Sequence, residues 1–230
     1  MSYSFLPLNS ARHNGGMDGV GMDERLIRAN ELYERAVFGG DDAALVAADR
    51  DLDAVDADLA LMRGKVVHAR FLARRVEDPT ELPLFERAAG LYHRAGDERG
   101  EAEALFWVAT YHQVVHGDHD TAAPVLGRAR ELATRAGDDL TLSYVLRHLG
   151  FVEQAAGRVP AARELFVEST ELRRKIGFQA GVAANLVGLA YLADDPTKAR
   201  AHLDEAAAVA RECGADAVFG WITEAESNLG

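Results

Sequence analysis

A single period runs through most of this chain, and it limits the fold more than any other feature. The string "RAGD" at Arg94–Asp97 recurs at Arg135–Asp138. Taking its glycine as a ruler, Gly96, Gly137, Gly177 and Gly214 follow one another at intervals of 41, 40 and 37 residues. Eleven residues before each glycine stand Phe85, Leu126, Phe166 and Leu203; eight before, Ala88, Ala129, Ser169 and Ala206. Five before stand Leu91, Leu132, Leu172 and Val209, and fifteen before, Glu81, Ala122, Ala162 and Ala199. Steps of four, three and three place these positions on one stripe of a helix, large residues alternating with small ones as close helix packing requires. The glycines then read as helix C-terminal stops. One interval further back Asp56 takes the glycine slot, with Leu45 and Ala48 at matching offsets, which predicts a degenerate first copy.

Between these helices the pattern predicts others at Leu59–Val76, Glu98–His116, Asp138–Ala156 and Gln179–Ala193, each with an apolar face, joined by turns such as "HGDHD", "AGRVP" and "DDPT". Asp23–Phe38 precedes the set and Asp216–Asn228 follows it. The expected organisation is a flexible segment over residues 1–22 and one all-α domain over residues 23–230 with a C-terminal capping helix.

The segment "LGFVEQAAGRVPAARELF", with Leu149, Gly150, Gly157, Ala162 and Phe166 at signature spacings, resembles the tetratricopeptide repeat family, and "VGLAY" at Val187–Tyr191 is similar to the same part of the next repeat. The period here is longer than the family's usual length of about 34 residues, and the family's proline near the repeat end is missing. The resemblance covers roughly residues 41–214. It implies a right-handed superhelix of antiparallel helix pairs, a TPR-like α-solenoid whose concave face receives a partner. Its groove positions transfer to Arg70 in one copy, to Trp107 and Tyr111 in the next, to Tyr144, Arg147, Phe151 and Gln154 in the best-matched copy, and to Asn185 in the last. Aromatic residues and arginine are the usual anchors of interfaces, and arginine grips carboxylates through paired hydrogen bonds. The expected function is a non-enzymatic adaptor or regulator that binds a protein or peptide partner, one with an acidic segment or a C-terminal carboxylate fitting best. The competing reading is a small-molecule sensor or biosynthetic enzyme, with Tyr111, Tyr144, Arg147 and His148 lining a closed pocket.

Composition narrows the alternatives. Formal net charge is −12 with no basic block, which argues against phosphate-driven nucleic-acid binding. No apolar run is long enough to span a bilayer. The start lacks a basic segment ahead of its short apolar stretch, so no secretion signal is expected. A lone cysteine, Cys213, fits a reducing cytoplasm and is expected to pack inside. "NGGMDGVG" lacks the lysine and hydroxyl residue of a phosphate loop, and neither a catalytic constellation nor a cofactor is expected. "YHQVVHGDHD" at Tyr111–Asp120 offers His112, His116 and His119 as metal candidates, but the residue after His112 is Gln113, which cannot serve as a general base, and the bland reading is a polar helix end. Phe219, Trp221 and Ile222 on the last helix raise the alternative of a homo-oligomer that buries them.

Overall fold

The computed structural model describes residues 21–229, so the proposed flexible segment lies almost wholly outside the described residues. Among the described residues the structure is all-α: α1 (Glu24–Gly39), α2 (Ala43–Arg74), α3 (Glu81–Ala95), α4 (Glu98–Thr110), α5 (His119–Ala136), α6 (Asp139–Ala155), α7 (Val159–Lys175), α8 (Gln179–Tyr191), α9 (Pro196–Cys213) and α10 (Ala217–Leu229), with a π-helical turn at Tyr111–Val115. None of these helices is long and apolar enough to cross a membrane.

Contacts divide the chain into two units at Asp51/Leu52, inside α2. In the first unit Asp23 caps α1 by accepting from the Arg25 backbone N–H, and Arg28 grips Asp51 through two nitrogens at 2.9 and 3.2 Å.

In the second unit the ruler holds. Gly96, Gly137, Gly177 and Gly214 all take left-handed backbone, φ between 64° and 75°, a conformation in which a Cβ would be strained. Phe85, Leu126, Phe166 and Leu203 are buried, as are Ala88, Ala129, Ser169 and Ala206. Four helices start on an aspartate, two of them directly after a ruler glycine: Asp97, Asp118, Asp138 and Asp195 each accept a hydrogen bond from the backbone N–H three residues on, satisfying a donor that the helix leaves free. From α3 onward each helix packs on its successor in the chain, with further contacts between α4 and α6 and between α8 and α10.

Two expectations fail locally. The copy ending at Asp56 does not form: α2 runs unbroken through it, because nothing there adopts left-handed backbone, and Asp56 instead pairs with Arg87. Cys213 lies exposed in the last turn of α9 rather than packed inside, its position facing away from the stripe that α9 buries. On α10, Ile222 is buried and Phe219 packs against the core formed with α8 and α9, so these two seal the last helix pair, while Trp221 stays 46% exposed.

Candidate functional site

α2, α4, α6, α8 and α10 surround a cavity of about 660 Å³. α2 contributes His68 and Leu72; α4 contributes Phe106, Trp107 and Thr110, and the π turn adds Val114. From α6 come Tyr144, Arg147, His148 and Phe151, from α8 Gly181 and Ala184, and from α10 and its lead-in Asp216, Val218 and Trp221. Arg173 of α7 and Phe178 of the α7–α8 turn complete the wall. Trp107 stacks on Phe85 at 5.6 Å and meets Phe106 edge-on at 5.2 Å, so the aromatic wall is continuous with the core.

Two arginines dominate the chemistry. Arg147 Nη1 donates to the Ala184 carbonyl at 3.0 Å and to Asn185 Oδ1 at 2.8 Å. Arg173 Nη1 donates to the same Asn185 oxygen at 2.8 Å and to the Gly181 carbonyl at 2.8 Å. Asn185 in turn donates to Ser169 Oγ and Thr170 Oγ1. Its oxygen is thereby committed to the two cations. The guanidinium carbons lie over aromatic faces, Arg147 4.9 Å from the Phe151 centroid and Arg173 4.8 Å from that of Tyr144, a favourable placement for a cation. Among the described residues neither arginine has a carboxylate partner, and Asp216 is the only acid on the cavity wall. Arg173 is 1% exposed and its Nη2 has no hydrogen-bond partner. Burial pulls both arginine pKa values down from the ordinary range, and the charge of Arg173 adds to the effect on Arg147. A sealed cation with an idle donor is costly unless something pairs with it.

The opposite wall holds a second buried polar pair. His68 Nδ1 lies 2.7 Å from Glu81 Oε1, and Glu81, wholly buried, leaves Oε2 without a partner. Its slot is filled by alanine in the other three copies, and it is the one charged intruder in the buried stripe.

His148 is tied to the π turn. Its Nδ1 lies 2.6 Å from Gln113 Oε1, while Gln113 Nε2 lies 3.1 Å from the His148 carbonyl and 3.1 Å from His119 Nδ1. Burial, reinforced by Arg147 and Arg173, pushes the His148 pKa down to about 3.

Of the residues that the resemblance nominated, Trp107, Tyr144, Arg147 and Phe151 meet on this one cavity. The others do not. Arg70 is exposed beside a separate hollow with Met62 and Asp78. Tyr111 is buried away from the cavity, where its hydroxyl donates to Glu77 at 2.6 Å and burial raises its pKa to about 12; it begins the π turn, which rotates the following residues off the α-helical register. Gln154 lines a shallow hollow with Gln113 and His119. Asn185 is fully buried and supports the arginines from behind. The metal candidates diverge. His116 Nε2 bonds the Tyr111 hydroxyl at 2.9 Å, His119 takes the Gln113 amide, and His112 packs edge-on to the Tyr111 ring. Among the described residues no group of three or more histidine, cysteine or acidic side chains is placed to hold a metal ion.

Arg173, Phe178 and Gln113 were missed. For Arg173 a signal existed. It stands four residues before its ruler glycine, where the other copies have Tyr92, Ala133 and Ala210, all buried. An arginine in a slot reserved for packing marks a buried charge with a task.

No family model matches the chain, and no curated protein sequence matches it. Among solved structures it is similar to the crystal structure of BtubC (BKLC) from P. vanneervenii, at 18% identity over 83% of this chain and 90% of that one, with a TM-score of 0.50. At that identity the likeness bears on the all-helical fold alone.

Proposed function

We propose that the chain is a TPR-like α-solenoid whose concave face forms a receptor for a small organic carboxylate with a flat apolar body, and that it acts as a ligand-sensing regulatory protein rather than an enzyme. The chain-order packing of the helices and the α4–α6 and α8–α10 contacts support the solenoid. The observation that carries the ligand is the pair Arg147 and Arg173, two guanidinium groups on one aromatic-walled cavity without a carboxylate to answer them. A volume of about 660 Å³ suits a small molecule. A carboxylate offers two oxygens to guanidinium donors and would supply the negative charge that Arg147 and Arg173 lack on this wall.

The test is calorimetry with 3-phenylpropanoate against 3-phenylpropanol, its uncharged counterpart. The acid is expected to bind at least tenfold more tightly, and Arg147→Met to weaken it by roughly 10- to 100-fold, the range for a hydrogen bond to a charged group. An alcohol that binds as well as the acid, or an indifferent Arg147→Met, would sink the reading. Binding of a protein partner's end is the second reading, and exposed cavity residues favour it: Leu72 and Trp221 are 48% and 46% exposed, giving a longer chain a way out. Affinity that climbs with peptide length would select it.

A further inference from the structure

We infer that His148 reads a hydrogen-bond donor on the ligand, so that the carboxylate taken by this cavity carries an O–H or N–H near its acid group. The inference rests on the cavity reading above and deepens it. Its starting point is the orientation of Gln113. One end of that amide faces the His148 backbone carbonyl, 3.1 Å away, and a carbonyl oxygen only accepts. The NH₂ end must therefore lie there, donating also to His119 Nδ1. The amide oxygen is left facing His148 Nδ1 at 2.6 Å, so Nδ1 carries the imidazole proton and donates. Nε2 is then a bare lone pair.

That lone pair belongs to a ring on the cavity wall. Among the described residues Nε2 has no hydrogen-bond partner, and the sealed side-chain atoms without partners are Glu81 Oε2 and Arg173 Nη2, not this one. The ring is held edge-on to Phe106 at 5.0 Å and to Phe151 at 5.7 Å. Arg147, its neighbour on α6, lies 4.9 Å from the same Phe151 centroid. The anion donor and the lone pair thus flank one ring and fall within the span of a single small molecule. The neighbouring cations disfavour a proton on the imidazole, which keeps Nε2 an acceptor where a titrating histidine would become a donor. The π turn supplies the cause, because it carries Gln113 into its buried position.

Two aromatic acids test this, 3-phenyllactate, which has a 2-hydroxyl, and 3-phenylpropanoate, which lacks it. Calorimetry on the full chain is expected to give about tenfold tighter binding of phenyllactate, the worth of one hydrogen bond that leaves no acceptor idle. His148→Phe keeps a ring in place and should erase the difference, both acids still binding through Arg147. Gln113→Leu keeps the imidazole but frees its tautomer, and should shrink the difference. Nitrogen NMR of the wild-type His148 ring should show a protonated Nδ1 and a bare Nε2 at neutral pH. Equal affinity of wild type for the two acids, or an Nε2-protonated ring, overturns the inference while leaving the carboxylate receptor standing. Failure of both acids to bind overturns the two together.

Discussion

Replacing Phe166 by alanine is expected to cost about 3–5 kcal/mol of stability, the range for emptying a fully buried phenylalanine site. The ring has no exposure, and two glycines were needed to admit it. A Cβ built on Gly150 would lie 2.6 Å from the Phe166 ring, and one on Gly188 would lie 2.3 Å from it. The ring therefore occupies a slot between α6 and α8 that no side chain on those positions could share. It also meets Phe151 edge-on at 5.2 Å and lies under the Arg147 guanidinium at 5.3 Å, so it supports the cavity wall as well as the core. The reverse substitution, Gly188→Ala, forces a methyl group into the ring and should cost about 1–3 kcal/mol through overpacking. Combined with Phe166→Leu, which removes the crowded ring edge, Gly188→Ala should cost clearly less than it does alone. Urea denaturation followed by circular dichroism on the four members of this cycle reads the coupling directly. A Phe166→Ala loss under 1 kcal/mol, or strictly additive effects, would mean that α6 and α8 close over the gap and that the slot is not what holds them apart.

The same pair of residues shows why so much of the fold could be read in advance. Large–small alternation at fixed offsets from a glycine is a packing requirement written directly into the chain, and Phe85 against Gly64 repeats in α2 and α3 what Phe166 does against Gly150. Local stops were legible for the same reason: left-handed backbone demands glycine, and glycine was there. Where the reading went astray, the deciding influence was not local. Asp56 offered an offset match without the conformational freedom of glycine, and the helix ran on. Tyr111 was nominated by the transfer of groove positions, but its hydroxyl is held by Glu77. The cavity was half legible. Trp107, Tyr144, Arg147 and Phe151 came from the groove positions that the repeat resemblance supplied, carried along by helix register, and they line the cavity. Asn185 obeyed its register but turned its amide to the arginines behind it, because two buried cations outbid any ligand for its oxygen. Arg173 comes from the second helix of its pair, outside the face that the register nominates, and only its oddity among Tyr92, Ala133 and Ala210 betrays it.

Acidification should destabilise the folded chain well before its carboxylates are protonated, and His148 should account for the slope. In the fold this imidazole stays neutral down to about pH 3, whereas the ordinary value that the unfolded chain would show is 6.5. Between those limits the unfolded state binds a proton that the folded state refuses. Stability is therefore fully present above pH 6.5 and falls as the pH falls, by about 1.4 kcal/mol per unit once the window is entered. The groups that set this are burial first, then Arg147 and Arg173, with His68 and His119 contributing in the same direction. Carboxylates held low by hydrogen bonds, such as Glu98 beside Arg135 and Asp118 beside Thr121, add their own losses only as the pH drops towards and below the usual carboxylate range. The interval from pH 6.5 to 5 thus isolates histidine. Urea denaturation at half-unit steps across it should give a falling stability in wild type and a much flatter line in His148→Phe, even though the variant starts lower for want of a donor to Gln113. The comparison is between slopes, so that lower starting point does not disturb it. Parallel lines for the two proteins would show that the imidazole takes its proton inside the fold, and with it that Arg147 and Arg173 are not near enough in effect to keep it bare.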